Sequence, residues 1–561
     1  MQKNLKQLCC SVLVCIGAQA IDASNHLLAQ PAKPTVILVR PSAWAESLAE
    51  WKTYRSPEYQ FVEVDSIASS LELRERISTA ARNCTSPAVA LVLCGDAALE
   101  VSPKRWQALT PGVVLETQIQ LGELTTKELC TDALYGDLDQ DGCPDIAIGR
   151  LPAKTPQELS RMLRRSIDYE ALAPGPWNDT IHVTAGVGGF GFLADTAIET
   201  VTRRFLTEGL PPYFRLNVTV ASCTSTYCPN PWKLREAYID RINQGGLFWV
   251  YIGHGQVNEL DRFQAAKQWL PIGQPADASK FDCQNRPPIA LMLACLTGAF
   301  DARVDCFSEH LLAQPHGPIA VISGSRVTMP YGLSQLSSEM INGCFRDRIA
   351  TLGEILLQAK RRVWVDDQES QAESNSLDPK GADDQPNEGF DIRKRYRKIV
   401  TDMAQALNPS DHDLTLERRE HVRLMNLLGD PLLKMPYPKP LELTVPSKAT
   451  SSERLRISGN SQVAGKLVVE LALVRDRVPE GVVALRSYRG TQEDHQQMDK
   501  NYQACNHLLV QALEKSIGAG AFEVDLQIPE NCSGRHVLSA YVYGEHDWSA
   551  GAEKLVIRKP Q

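Results

Sequence analysis

Beyond its first twenty residues the chain lacks any apolar run long enough to cross a bilayer without charge, so no further membrane-spanning helix is expected. It also lacks a basic balance. With 59 Lys and Arg against 67 Asp and Glu, a net charge of −8 and a pI near 5.9, a general nucleic-acid or anionic-membrane partner is excluded, because either needs a basic face. The two basic runs, Lys360-Arg361-Arg362 and Arg393-Lys394-Arg395-Tyr396-Arg397-Lys398, read as solvated helix faces. No Cys-x-x-Cys carries a histidine at ligand spacing, which removes a zinc site of that kind. The glycine-rich stretch Gly186-Val187-Gly188-Gly189-Phe190-Gly191 lacks the acidic residue that a dinucleotide site wants at the end of the next strand, since Phe214 to Val220 runs into Ala221-Ser222-Cys223. No organic cofactor is expected, and that turn is assigned to a cleft wall.

What is present is an ordinary globular composition, 43% hydrophobic and 22% charged, in a chain of 561 residues that is too long for one core. Residues 1–30 read as a secretory signal and leader: Lys3 and Lys6, an apolar run from Leu8 to Ala18, then Ala18-Gln19-Ala20 suited to cleavage. The expectation is an exported protein, secreted, periplasmic or at the cell surface. No stretch before Thr35 has the length of a folded inhibitory prodomain. Three of the 15 cysteines fall in the signal, and export permits disulfides among the other twelve. Cys223 with Cys228 and Cys505 with Cys532 are the preferred pairs, though spacing alone proves neither.

The most informative stretch is Gly245 to Asp301. Leu247-Phe248-Trp249-Val250-Tyr251-Ile252 stops at Gly253-His254-Gly255, and Ile289-Ala290-Leu291-Met292-Leu293-Ala294 stops at Cys295-Leu296-Thr297-Gly298. Short branched and aromatic runs bounded by turn residues read as strands buried on both faces of a parallel sheet, and such sheets present ligands at strand carboxyl ends. A thiol and an imidazole facing one crevice make a nucleophile and its acid–base partner, with Gly255 and Cys295 offering backbone N–H groups to an oxyanion. Strands Thr35–Val39 and Ala88–Leu93, with helical patterns around Trp44, Leu48 and Trp51 and from Ile67 to Ala81, predict the same α/β architecture upstream.

The Gly-His-Gly and Ala-Cys ends resemble those of the gingipain-like cysteine peptidases. The run Tyr135-Gly136-Asp137-Leu138-Asp139-Gln140-Asp141-Gly142-Cys143-Pro144-Asp145-Ile146-Ala147-Ile148-Gly149-Arg150-Leu151-Pro152 upstream and Asn426-Leu427-Leu428-Gly429-Asp430-Pro431 downstream extend the resemblance over about residues 31 to 435. It implies an α/β, caspase-like, mostly parallel sheet flanked by helices in two subdomains, 31–173 and 174–438, and a cysteine endopeptidase acting on protein or peptide substrates. It also implies that an acidic residue, here Asp145, orients His254. That leaves Asp137, Asp139 and Asp141 as candidates for calcium, although Ile148 stands where an EF-hand needs a bidentate Glu.

The strand Ile319–Ile322 is expected beside the Cys295 strand. No acidic residue at its end announces a pocket for Arg or Lys, so that preference of the best-known gingipains is not carried over. Residues 366–389 read as a mobile acidic insertion. From Leu441 the pattern changes to short alternating strands, predicting an immunoglobulin-like β-sandwich over 439–561, which the resemblance also places there. A catalytically silent scaffold of the same fold and a transpeptidase using the same acyl-enzyme remain as alternatives.

Overall fold

The computed structural model describes residues 32–117, 127–188, 209–283, 286–365 and 413–560. The leader 1–30, a helix expected from Leu193 to Glu208, the acidic insertion 366–389, the basic run 393–398 and a helix expected from about Asp402 lie outside the described residues.

Ten strands form the main sheet: β1 (Thr35–Arg40), β2 (Gln60–Asp65), β3 (Ala88–Cys94), β4 (Ala147–Leu151), β5 (Thr180–Ala185), β6 (Arg215–Val220), β7 (Phe248–Ile252), β8 (Ile289–Leu293), β9 (Ala320–Gly324) and β10 (Met425–Leu428). Their order is β6-β5-β7-β8-β9-β10-β4-β3-β1-β2. Alternate residues of each strand serve the two faces. Trp249 and Tyr251 of β7 enter one core with Met292 and Val321, while Phe248 enters another with Leu291 and Ile322. Burial on both faces is why these strands read as unbroken apolar runs.

Within the sheet β5 to β9 are mutually parallel, and so are β1 to β4 with β10. The two sets meet at one antiparallel seam, where Ser323 of β9 faces Asn426 of β10. The sheet is therefore mostly parallel, as expected, but its halves run in opposite directions. The carboxyl ends of β7, β8 and β9 consequently share a rim with the amino end of β4 and the acidic turn that precedes it.

The helices flanking the sheet begin where the sequence provides caps. Ser69 accepts from the Glu72 N–H at the start of Ser70–Arg82, and Thr155 accepts from the Glu158 N–H, with Pro156 at the first position of Pro156–Glu170. Two buried ion networks bind the upstream half together. Arg55 makes a two-pronged pair with Glu170 (2.6 and 2.9 Å) and reaches Asp430 at 3.0 Å, which also accepts from the Trp51 indole at 2.7 Å. Arg150, fully buried, is bidentate to Asp132 at 2.6 and 2.7 Å and donates to the carbonyls of Gly95, Thr110 and Pro111. The downstream motif thus ties the sheet together, because Asn426 accepts from the Asp132 N–H and Asp430 from Arg55 and Trp51.

The last region forms two packed sheets, one built on Gly465–Leu473, Leu509–Ile517, Gly534–Tyr543 and Trp548–Arg558, the other on Glu442–Thr444, Arg454–Ser461 and Gly520–Gln527. Their inward residues, among them Leu455, Ile457, Leu467, Val469, Phe522, Val524, Leu538 and Ala540, make a separate core. One helix, Gln492–Cys505, was not legible as such. It leaves the sandwich to dock on β6, where Tyr502 meets Thr219 at 2.9 Å and the Asn506 amide pairs with both the N–H (2.6 Å) and the carbonyl (2.9 Å) of Val218. That amide covers backbone groups an edge strand would otherwise leave open.

All twelve cysteines of the described residues are unlinked. Cys223 and Cys228 do lie in hydrogen-bonding contact. Cys505 and Cys532 do not pair: Cys505 sits beside Thr226, whereas Cys532 meets His536 Nε2 at 3.1 Å.

Candidate active site at the carboxyl ends of β7 and β8

β7 and β8 are parallel neighbours with Phe248 opposite Ile289 and Ile252 opposite Leu293. His254 and Cys295 each follow two residues beyond the last pair, so they overhang adjacent strands, roughly 4.8 Å apart in the sheet, by the same length. Both are half-buried. The Gly253 N–H reaches the Leu293 carbonyl at 3.3 Å, and Gly255 packs directly on the Cys295 loop. A Cβ there would stand 2.6 Å from the Cys295 carbonyl oxygen and 2.6 Å from Thr297 Cγ2, so only glycine permits the approach. Tyr251 fixes the loop from below by donating its hydroxyl to the His254 carbonyl at 2.8 Å. Gly186, from the glycine-rich turn after β5, donates to the Ile252 carbonyl at 2.7 Å and so borders the same opening.

The turn after Cys295 is strained. Leu296 has φ of +60°, a left-handed conformation that costs a branched residue roughly 1–3 kcal/mol. Surrounding bonds hold it: the Leu296 N–H donates to the Arg326 carbonyl (3.0 Å), Gly298 to Gly324 (2.9 Å) and Ser308 to Thr297 (3.0 Å).

The neighbouring strand supplies the rest of the wall. Beyond β9, Thr328 surrounds the sulfur: its N–H donates to Cys295 Sγ at 3.3 Å, its hydroxyl lies at 3.6 Å, and its carbonyl accepts from the thiol at 3.6 Å. Arg326 turns aside to a bidentate pair with Asp301 (2.5 and 2.8 Å). The sequence reading placed this strand end in the cleft without singling out Thr328, although a polar residue just past a strand beside the cysteine strand was a usable signal.

Asp145 lies elsewhere on the rim. It precedes β4, four strands from β7 in the sheet order, a lateral separation of roughly 19 Å. Both its oxygens are engaged locally, Oδ2 by the N–H groups of Leu138 (2.9 Å) and Asp139 (3.3 Å), Oδ1 by Arg361 (3.3 Å). The structure does not bring it to His254. Instead Asp137, Asp139 and Asp145 each bring an oxygen within 4.8 Å of the others. Asp141 is outside that group, its Oδ1 taken by the Cys143 N–H at 2.7 Å. Asp145 therefore takes the place expected of Asp141, and neither aspartate is brought to His254. Asp137 Oδ1 is buried without a hydrogen-bond partner, while its Oδ2 accepts from Arg74 and the Gly142 N–H. An unpaired buried carboxylate oxygen beside two other carboxylates is a donor set suited to a hard cation.

Comparison with known proteins gives these elements a family. The model of peptidase family C25 matches residues 29–436, more than half of the chain. No curated protein matches. Among solved structures, one described as a protease aligns with 93% of this chain and 97% of its own at 14% identity and a TM-score of 0.51, which shows a shared fold. The Arg-specific cysteine proteinase gingipain R aligns over 94% of this chain and 98% of its own, at 13% identity and a TM-score of 0.49. A complex of the pro- and mature domains of RgpB from Porphyromonas gingivalis aligns over 93% and 100%, at 13% identity and 0.47. The chain belongs to peptidase family C25, the gingipain-like cysteine peptidases.

Proposed function

We propose that the protein is an exported endopeptidase working through a Cys295–His254 dyad. His254 takes the thiol proton, the Cys295 sulfur attacks the scissile carbonyl carbon, and the N–H groups of Gly255 and Cys295 receive the oxyanion. Collapse of the tetrahedral intermediate breaks the C–N bond as His254 returns the proton to the departing amine. Water then attacks the thioester with His254 as base, releasing the acid and regenerating the thiol. The observation that carries this reading is the register of β7 on β8, which supports a shared opening for the two side chains. Thr328 suits the first step: when the thiol proton leaves, its N–H and hydroxyl remain as donors to the sulfur.

The acidic turn is read as a structural calcium site held by Asp137, Asp139 and Asp145, supported by the unpaired Asp137 oxygen. The ion would supply positive charge to the turn leading into β4, and takes no part in the hydrolysis. Export rests on the apolar run Leu8 to Ala18 and its small-residue end.

The direct test is Cys295→Ala. Hydrolysis of a denatured protein substrate should fall at least 10³-fold with the unfolding midpoint unchanged. Undiminished hydrolysis in the variant would remove Cys295 from the mechanism, and a folded wild-type protein without hydrolysis would favour the silent scaffold.

A further inference from the structure

Thr328, the residue around the Cys295 sulfur, belongs to a short strap between β9 and the helix Pro330–Ile341. On the Cys295 side the strap is pinned at Arg326, whose carbonyl accepts from the Leu296 N–H at 3.0 Å and whose guanidinium pairs with Asp301, whereas Thr328 itself makes only long contacts with the sulfur. The residue after Thr328 has a short bond of its own, to the helix Leu414–Leu424, 92 residues further on.

The Met329 N–H donates to His421 Nε2 at 2.8 Å, and the other ring nitrogen, Nδ1, lies 2.7 Å from the Glu417 carbonyl oxygen. A carbonyl can only accept, so Nδ1 carries the proton and Nε2 is left as the acceptor that the strap requires. One helical turn earlier, Glu417 Oε1 accepts from the Gly332 N–H at 2.8 Å, gripping the first turn of the helix that the strap leads into. The ring has no room to move: a Cβ on Gly332 would lie 2.3 Å from His421 Nδ1, and His421 itself is fully buried. Burial, opposed by Glu417 and Glu420, pushes the imidazole below its ordinary range and keeps it neutral.

We propose that His421 is a positioning residue for the nucleophile: as a neutral imidazole protonated on Nδ1, it fixes Met329 and thereby holds the Thr328 donors against the Cys295 sulfur. The proposal rests on Cys295 being the nucleophile but concerns a residue that touches neither sulfur nor substrate. A protonated ring would present Nε2–H to the Met329 N–H, two donors facing each other, and the strap would lose its anchor. A residue of the same volume without an acceptor would leave the Met329 N–H buried and unmatched, with the same result.

The test uses the full chain with His421→Leu and His421→Gln, and reads the second-order rate of iodoacetamide alkylation at Cys295, resolved from the other cysteines by mass spectrometry. His421→Leu should slow alkylation of Cys295 about tenfold, because a charged sulfur loses donors, and His421→Gln, whose side-chain carbonyl can accept from Met329, should restore most of it. A merely structural histidine would lower the unfolding midpoint and leave that rate alone. Wild-type alkylation rates in folded His421→Leu would overturn the proposal. If the leucine variant does not fold, ¹⁵N-histidine NMR of the unmodified protein decides instead: a neutral Nδ1–H ring is required, and an Nε2–H ring or an imidazolium at neutral pH contradicts it. A wild-type Cys295 no more reactive than the buried thiols would sink the nucleophile reading instead, and the ring tautomer would still decide the strap.

Discussion

In the half of the sheet made by β1 to β4 and β10, two buried arginines are matched by carboxylates at short range. Arg150 meets Asp132 at 2.6 Å with the Phe300 ring 4.6 Å from its guanidinium carbon, and Arg55 is shared by Glu170 and Asp430. The half made by β5 to β9 has such a network at its outer edge, where Arg215 of β6 meets Asp179 and Glu470, and nearer the site it buries imidazole rings. His182 on β5 is pushed down to about 4 by burial, against the pull of its Gly245 carbonyl partner, and His421, packed over the far side of the strap, is pushed down likewise. The sulfur itself is hydrogen-bonded to the uncharged Thr328. The difference teaches where stability and chemistry are separated: ion networks brace the framing half and the outer edge at β6, and His254 and Cys295 stand half-exposed at the ends of the strands between them. Phe300, five residues past Cys295, joins the two by lying over Arg150.

The sharpest way to break this contrast is Arg150→Met, which keeps the stem and removes the charge. It strands Asp132 in a buried site, and should cost about 3–5 kcal/mol in urea unfolding while leaving the chemistry of any folded fraction intact. A loss below about 1 kcal/mol would show that the network is not what holds the framing half. Removing the Cys295 sulfur, by contrast, should abolish hydrolysis without moving the urea midpoint.

A smaller effect sharpens the comparison at the acidic turn, the one place in the framing half where a buried carboxylate oxygen lacks a partner among the described residues. With calcium at a hundredfold excess over its dissociation constant, the linkage gain is about 2.7 kcal/mol, so chelation should lower the unfolding midpoint by several degrees. Asp139→Asn should erase most of that shift, whereas Asp141→Asn should leave it. Equal midpoints with calcium and with chelator would remove the ion from the account.

Much of this was legible in the sequence because β7 and β8 announce themselves as apolar runs that stop at Gly253-His254 and Ala294-Cys295, and parallel pairing then dictates a common rim. The seam between β9 and β10 was not. Asn426-Leu427-Leu428 is as apolar as a parallel strand, and direction is set by which rim the preceding helix returns to, which local pattern does not encode. The replacement of Asp141 by Asp145 in the carboxylate cluster was hidden for a similar reason. Carboxylates at alternate positions all look available, and only the turn decides that Asp141 accepts from Cys143 while Asp145 folds back on Leu138 and Asp139. His421 gave no signal at all, since a histidine inside a helical pattern is indistinguishable from a core residue until Met329 is brought to it.

The central claim is that the imidazole and the sulfur act together. The most direct measurement exposes wild-type protein, Cys295→Ala and His254→Ala to a peptidyl acyloxymethyl ketone and locates the adduct by mass spectrometry. The account predicts one thioether, on Cys295, formed at least a hundredfold more slowly in His254→Ala and absent in Cys295→Ala. Labelling of another cysteine, or of Cys295 at the same rate without His254, would contradict it.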